Sequence, residues 1–479
     1  MHGTAWSLLP FGVVLAVAVL TRQVLAGLLL GLLTGAFMLR PSPLAGVEQA
    51  LTLLLQELAI PDNIRLIVFL YCFGALVGLI RATGGVSGFA RWMEERATTT
   101  RSGFLWTWLS CAFTFMAPDF RIMTVAPMME DVFRRLKVPA EKIALIIEAT
   151  ATPLTAVIPI GTVFVGYMTS LVAIESRQHG LSVAPLHLIL VSIPFNFAAW
   201  TLLAFALYES FFARASRPAE TPESVGRTVS RIRPVYAETA AELAPGGRKA
   251  SAGPANLLLP LAALLLLTLF LTWWNGRSGA HSFLGALAGA DAGHAMLVGL
   301  FITLVGSSVW YAVQGQPLDR ILGGFVAGGN EMMNVNILLV LVWSVTAASR
   351  ALGFNGFITA LVVRLVPPSL TVPMLFAFGC AIAYVVGSTF GAWGLLMPLG
   401  YSLAAAGHVS LPLVAGAVFA GGTFGGFASP FSDGTVAMAT VMKLPVLSYA
   451  HAKLRFGLIA ALVSLLLYAV VGWLVHGAF

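Results

Sequence analysis

Apolar residues recur in long runs along this chain, at 6–20, 24–39, 64–80, 103–118, 143–174, 186–212, 256–274, 295–313, 335–349, 370–406, 411–428 and 456–475. A membrane-crossing helix needs about 20 apolar residues, with roughly 17–25 the usual range. Backbone facing lipid must satisfy its own hydrogen bonds, so runs of this kind predict helices. Several are short or broken by Gly and Pro, as at Thr152-Pro153 and Gly387-Ser388. Such breaks are tolerable only where protein or water satisfies the freed backbone groups.

One long polar stretch, 214–254, interrupts the pattern. It carries Arg214, Arg217, Arg227, Arg231, Arg233, Arg248 and Lys249 among Pro, Glu and Ser. This reads as a linker between an N-terminal membrane half, 1–213, and a C-terminal half, 255–479. Its basic excess predicts a cytoplasmic side, shared with the 81–101 and 131–142 loops, which are also rich in Arg and Lys. Residues 103–130 would then leave and re-enter one side in too few residues for two full spans. A re-entrant hairpin bending near Ala117-Pro118 is the expectation.

Composition agrees. Hydrophobic residues make up 58% of the 479 and charged residues only 10%, too few for a soluble shell. The net charge of +7 lies in short loops between apolar runs, which reads as topology rather than nucleic-acid binding. Cys72, Cys111 and Cys380 each sit inside an apolar run without ligand spacing, as buried small hydrophobes would. The N-terminal stretch lacks a basic region and a cleavage site, and reads as a first membrane segment.

An internal repeat is visible. IALIIEATATPLTAVIPIG at 143–161 aligns without a gap to IAYVVGSTFGAWGLLMPLG at 382–400, with Ile143/Ile382, Ala144/Ala383, Thr150/Thr389, Pro159/Pro398 and Gly161/Gly400 identical. A second echo pairs SIPFNF at 192–197 with ASPFSD at 428–433. Paired halves with interrupted hydrophobic segments at matching places point to the site of a secondary transporter. The predicted fold class is an all-α polytopic membrane protein, two repeated halves with broken helices and re-entrant hairpins.

Ionisable groups inside apolar runs are expensive and therefore informative. Glu148 ends a helical run just before Thr150-Ala-Thr152-Pro153; its carboxylate, the two hydroxyls and freed carbonyls form a hard-oxygen set suited to Na⁺. The plainer alternative is a solvated helix end. Asp433, within Ser429-Pro-Phe-Ser432-Asp433-Gly-Thr435, is either a second ligand or an ordinary turn residue. Asp119 and Arg121 sit at the hairpin bend, as site groups or as an ion pair that holds it. Glu331 opens an apolar helix, where the helix dipole alone favours an acid. Ser388 and Thr389 line the second break, and Trp393 reads as packing. No HExxH, G-x-S-x-G or Walker A pattern occurs, so an enzyme or ATP-driven pump is disfavoured and an ion gradient is the expected energy source.

The block KVPAEKIALIIEATATPLTAVIPIGTVFVGYM (137–168), with GSTFGAWGLLMPLG (387–400) and ASPFSDGTVAMATVMKLPVLSYAHAKLRF (428–456), resembles the NhaC-type Na⁺/H⁺ antiporter family. The resemblance implies a bacterial inner-membrane ion transporter of two repeats. It places Glu148 at the family's acidic position before its break, with Thr150 and Pro153 on the matching break positions. Ser388, Thr389, Gly391 and Trp393 match the family's second-break segment loosely. Ser429, Pro430, Ser432, Asp433 and Thr435 match its Ser-Pro-x-Ser-Asp-x-Thr segment well. The family's Asp-His pair before that segment is replaced here by Gly426 and Phe427. A pair of acids is replaced by Ala117-Pro118, leaving Asp119 one step displaced.

The expected function is a secondary active transporter, a monovalent cation (Na⁺)/proton antiporter working by alternating access. The alternative is an H⁺- or Na⁺-coupled carrier of a small organic anion or amino acid. Expected cation- or proton-binding residues are Glu148, Asp433, Asp119, Thr150, Thr152, Ser388, Thr389, Ser429 and Ser432. No cofactor is expected beyond transported Na⁺ and H⁺. The expected partners are the lipid bilayer and the transported ion or solute, with no nucleic acid; a homodimer is compatible.

Overall fold

A computed structural model describes residues 4–21, 23–86, 88–89, 96, 99–159, 161–181, 183–213, 253–278, 282, 285–286, 290–354, 357, 367–407 and 409–476. Helices are the regular elements among them, and no strand occurs there. The sequence-predicted linker, apart from Gly253 and Pro254, and part of the 81–101 loop lie outside the described residues.

The first half runs α1 (Leu9–Thr21), α2 (Val24–Leu39), α3 (Pro43–Leu58), α4 (Pro61–Ala82), α5 (Thr100–Leu109), α6 (Cys111–Thr114), α7 (Pro118–Arg135), α8 (Ala140–Ala149), α9 (Thr152–Val157), α10 (Val163–Gln178), α11 (Pro185–Ser192) and α12 (Phe197–Phe211). The second runs α13 (Ala255–Gly276), α14 (Ala292–Val313), α15 (Leu318–Glu331), α16 (Met333–Ala351), α17 (Pro368–Val386), α18 (Thr389–Gly407), α19 (Leu411–Ala428), α20 (Asp433–Val441) and α21 (Val446–His476). Among the described residues, seven helices are long and apolar enough to cross a membrane, or nine if two bent pairs each count as one span. The chain is a multi-pass membrane protein.

The hairpin bends where the sequence predicts. Ala117 is extended (φ −147°, ψ 138°) and Pro118 begins α7, a place where its missing N–H is not needed. Glu331, however, closes α15 rather than opening the next helix. It pairs with Arg81 at the far end of α4, so a specific ion pair, not a helix N-terminus, accounts for it.

Both expected breaks exist, for different local reasons. Pro153 has no N–H to continue the ladder from α8. The Thr150 hydroxyl donates back to the Ile146 carbonyl at 2.8 Å, satisfying part of what the break frees. The second break rests on Gly387, left-handed at φ +70°, where a Cβ would stand 2.6 Å from the Phe431 carbonyl carbon. Ser388 Oγ then accepts from the Gly391 N–H at 3.1 Å and starts α18. The shorter echo also holds: Asn196 and Ser432, equivalent positions, each cap the next helix with the side chain.

Packing separates inner from outer helices. Every residue of α19 from Leu413 to Ala428 is buried, while α21 leaves Leu458, Leu462 and Leu466 exposed on a face fit for lipid. Small residues permit the closest crossing. Gly74 and Gly78 on α4 meet Gly328 and Gly324 on α15 so tightly that a Cβ on Gly78 would lie 2.1 Å from the Gly324 carbonyl oxygen. This is the four-residue small-residue spacing by which membrane helices approach backbone to backbone.

Candidate functional site

The sequence dictates a site where three irregular segments meet: the α8–α9 break, the α17–α18 break, and the Ser429–Ser432 turn between α19 and α20. The turn joins the other two. Ser429 Oγ donates to the Tyr384 carbonyl near the end of α17 at 2.6 Å. Gly387 packs against Phe431. A Cβ on Gly426 would touch Thr389 Oγ1 at 2.1 Å and Thr152 Cγ2 at 3.1 Å, so a residue from each break flanks this one glycine. A larger side chain, such as the family's acid at that position, has no room in this arrangement.

At the centre lies Glu148, fully buried. Its Oε1 accepts from the Lys453 ammonium, and its Oε2 accepts from the Tyr449 hydroxyl. Lys453 and Tyr449 stand four residues apart on one face of α21, both buried. Lys453 also donates to Thr435 Oγ1. Thr435 Oγ1 lies 3.3 Å from Glu148 Oε1 and donates to the Ser429 carbonyl at 2.7 Å, with Ser432 Oγ 2.6 Å away. The remaining face of the ammonium looks onto the Phe427 ring, 5.3 Å to its centroid. The carboxylate is thus an acceptor for two strong donors, and the ammonium is held by oxygen and aromatic faces in a space without bulk water.

A second buried cation stands beside it. Arg121, fully buried, spends all five of its N–H groups within the protein. Nη1 donates to Ser110 Oγ (3.0 Å) and Thr114 Oγ1 (2.8 Å), and Nη2 to the Thr107 carbonyl (2.9 Å) and Thr150 Oγ1 (2.9 Å). Nε reaches Thr150 Oγ1 at 3.3 Å. None is left for Asp119, so the alternative of an Asp119–Arg121 ion pair is corrected. Arg121 pins the hairpin to the first break through hydroxyls instead.

The structure gathers Glu148, Thr150, Thr152, Thr389, Ser429 and Ser432 around this junction, with Ser388 at its edge as a helix cap. It does not place Asp433 in the buried cluster. Asp433 is exposed at the first position of α20, where the helix dipole favours it. Asp119 is half-buried, within electrostatic reach of Asp433, Glu331, Arg81 and Glu148. Trp393 is packing, as expected: fully buried, its Nε1 donates to the Phe419 carbonyl at 3.0 Å. Sequence reasoning missed Lys453, Tyr449 and the role of Thr435. The available signal was a Lys between a Tyr and an apolar helix with no acid on its own face.

Comparison with known proteins fits this architecture. An uncharacterized protein of Haemophilus influenzae is 23% identical over 99% of this chain and 92% of its own length. A malate-2H(+)/Na(+)-lactate antiporter of Bacillus subtilis is 36% identical over 20% of this chain and 21% of its own length. The crystal structure of the Alcanivorax borkumensis YdaH transporter shares the fold, with a TM-score of 0.56 at 16% identity over 90% of this chain and 89% of that one. Residues 162–473, about two thirds of the chain and including Thr435, Tyr449 and Lys453, match the model of the Na⁺/H⁺ antiporter family, and the chain belongs to that family.

Proposed function

We propose that this secondary transporter exchanges a monovalent cation, Na⁺ first, for protons at Glu148, in a bacterial inner membrane with its central linker cytoplasmic. The observation that carries the reading is the Glu148–Lys453 pair. A buried carboxylate needs a compensating positive charge, because an unpaired one is very costly there. Lys453 supplies that charge as a tethered cation occupying one carboxylate oxygen. An incoming Na⁺ neutralises Glu148 in its place, with Thr435, Ser432 and the freed carbonyls at the first break as further oxygen ligands. Lys453, having lost its counter-charge in a site that still surrounds it with apolar and aromatic groups, releases one proton. The charge of the site is the same before and after: one carboxylate and one cation. Exchange follows because Na⁺ and the lysine proton cannot both be held. Thr150, Thr152 and Thr389 shape the junction, while Asp119 and Asp433 lie on its approach and attract cations.

Reconstitution into liposomes loaded with a pH-sensitive dye tests this. Na⁺ pulses are expected to release protons from wild type and not from Glu148→Gln or Lys453→Gln. Proton release that survives either substitution defeats the assignment.

A second reading has its own observation. Two fully buried cations, Lys453 on Glu148 and Arg121 bound to Thr150 at the first break, accompany one fully buried carboxylate, Glu148, an excess of positive charge that favours a small organic anion. The relation to a malate and lactate antiporter points the same way. Proton flux driven by such acids, with none driven by Na⁺, K⁺ or Li⁺ alone, selects this reading.

A further inference from the structure

Glu148 and Lys453 are completely buried, so a cation reaches them only through a gap between helices. One such gap ends beside them. A small cleft runs between α8, α12 and α21 and is lined by Leu145, Ala149, Ala206, Glu209, Phe427 and Phe456. Helical spacing explains the lining. Lys142, Leu145 and Ala149 follow one another along one face of α8, and Leu202, Ala206 and Glu209 along one face of α12. Ala149 adjoins Glu148 in the chain, and Phe456 comes three residues after Lys453 on α21. Phe427 is the group that the cleft shares with the buried site. It lines the cleft, and its ring centre lies 5.3 Å from the Lys453 ammonium.

The outer end of the cleft carries charge. Glu209 Oε2 stands 3.6 Å from Lys142 Nζ, which also donates to the Ala213 carbonyl at 3.2 Å and lies 5.9 Å from the centre of the Phe104 ring. The Glu209 side chain is 20% exposed and that of Glu148 is 0% exposed, so the first is reachable from outside and the second is not. The rise along α8 from Lys142 to Glu148 is about 9 Å. The two ends of the cleft thus have the same chemistry: a carboxylate held by a lysine, with a phenylalanine ring near the ammonium. Between them the walls are aliphatic or aromatic. Phe205 and Phe456 meet there edge to face, with ring centroids 6.0 Å apart. A hydrophobic constriction of this kind excludes water until it widens, and aromatic faces attract a cation that enters. Pinning α8 to α12 accounts for the Glu209–Lys142 pair by itself. It leaves unexplained why the carboxylate also lines a cleft whose inner end is the ring against Lys453.

We propose that Glu209 is an outer cation-binding station, and that the cleft behind it is the route by which the transported cation reaches Glu148 from the side of the α7–α8 loop. The cation displaces Lys142 from Glu209 at the mouth, as it displaces Lys453 from Glu148 at the base. The Phe427 and Phe456 rings close the passage between the two stations. Alternating access requires a route of this kind from each face of the membrane. The identity of the cargo rests on the cation-exchange reading above; the route rests on the geometry of the cleft.

Two measurements test the two parts. The first is cysteine labelling in membrane vesicles, with Cys72, Cys111 and Cys380 replaced by Ala. Ala206→Cys, in the buried wall of the cleft, is expected to react with a small membrane-impermeant cationic thiol reagent, and only from the side on which Lys137→Cys, exposed in the α7–α8 loop, reacts. Leu207→Cys, its neighbour on the exposed apolar face of α12, is expected not to react. Leu145→Cys, on the facing wall, is expected to behave as Ala206→Cys does and replaces it should that variant not fold. No reaction at either wall position, equal reaction at Leu207→Cys, or reaction from the opposite side overturns the route. The second measurement is Na⁺-driven proton release in proteoliposomes. Glu209→Gln is expected to raise the Na⁺ concentration for half-maximal rate about tenfold with the maximal rate kept, and Glu209→Asp to restore it. Lys142→Met, which removes the competitor for Glu209, is expected to lower that concentration. A pair that only tied α8 to α12 would be broken equally by either substitution, and both would shift the same way. Shifts in one direction, or no shift with Glu209→Gln, overturn the station. A wild type without Na⁺-driven proton release, with labelling as expected, instead sinks the cation-exchange reading and the station with it, and leaves the cleft as a route.

Discussion

Replacing Lys453 by Met removes the ammonium and keeps most of its apolar stem. Glu148 is then left fully buried with only the Tyr449 and Thr435 hydroxyls beside it. Two unit charges in hydrogen-bonding contact, at about 3 Å and an effective dielectric of about 20, attract by roughly 5 kcal/mol. The cation–π contact with Phe427 adds about 0.5–1 kcal/mol. Breaking a buried pair by deleting one partner is expected to cost about 3–5 kcal/mol, because the survivor keeps its desolvation cost. Replacing both partners is a different perturbation. In Glu148→Gln/Lys453→Met no buried charge is orphaned, and the cost is expected to fall to about 1–2 kcal/mol from lost packing and hydrogen bonds. The assay is a double-mutant cycle on detergent-purified protein, following reversible unfolding by tryptophan fluorescence. The expected coupling between the two sites is at least 2 kcal/mol, well above the ~0.5 kcal/mol within which independent sites add. Coupling inside that additive range would refute the pair as an energetic unit, and with it the competition between Na⁺ and the tethered ammonium.

Two further substitutions probe the frame around the site. Arg121→Lys keeps the charge but offers three N–H groups against five bonds made, so at least two charged hydrogen bonds go, a loss of about 3 kcal/mol or more; an unchanged melting temperature contradicts the pinning role. Gly78→Ala puts a Cβ against the Gly324 carbonyl and is expected to cost about 1–3 kcal/mol, whereas Gly306→Ala, with open space around it, is expected to be neutral or mildly stabilising; equal melting temperatures for the two refute the close crossing of α4 and α15.

The features legible in the sequence are those written locally. Thr152-Pro153 announces a break because proline lacks a donor, and Gly387 announces one because only glycine takes its left-handed backbone at no cost. The Ala117-Pro118 bend was legible for the same reason. Glu148 stood out because an acid inside an apolar run demands compensation. Its partner did not, because Lys453 sits near the start of α21 among Lys443, His451 and Arg455, where a basic residue reads as topology. Only the fold, which brings positions 148 and 453 together, reveals the lysine as buried. Arg121 was misread toward Asp119, two residues away, yet Thr107, Ser110 and Thr114 at spacings of three and four marked one hydroxyl-bearing helical face on which a guanidinium could be satisfied. Glu331 was misread because Gly328-Gly329 reads as a loop before the apolar run at 335–349, whereas the helix Leu318–Glu331 runs through both glycines, which pack on Gly74, Gly78 and Tyr71.

The arrangement also explains why the site is a junction rather than a pocket on one helix. Lys453 touches both Glu148, before the first break, and Thr435, just after the Ser429–Ser432 turn. Thr435 is bonded to the Ser429 carbonyl, Ser429 to the Tyr384 carbonyl, and the turn packs on Gly387 at the second break. Moving the ammonium off the carboxylate therefore removes a bond on the first half and a bond on the second at once. A continuous helix resists such a change, because each of its backbone groups is committed to the ladder. A broken one has carbonyls and N–H groups whose partners are side chains, and side-chain partners can be traded for a cation. In the proposed exchange the hydroxyls at 429, 432 and 435 link the two breaks, and the cation that Glu148 holds, the Lys453 ammonium or Na⁺, is what changes at that link. Removing the Thr435 hydroxyl is expected to leave the Glu148–Lys453 pair formed but sever its link to the second break, which makes this one side chain the place where the proposed exchange would be coupled to a change at the breaks.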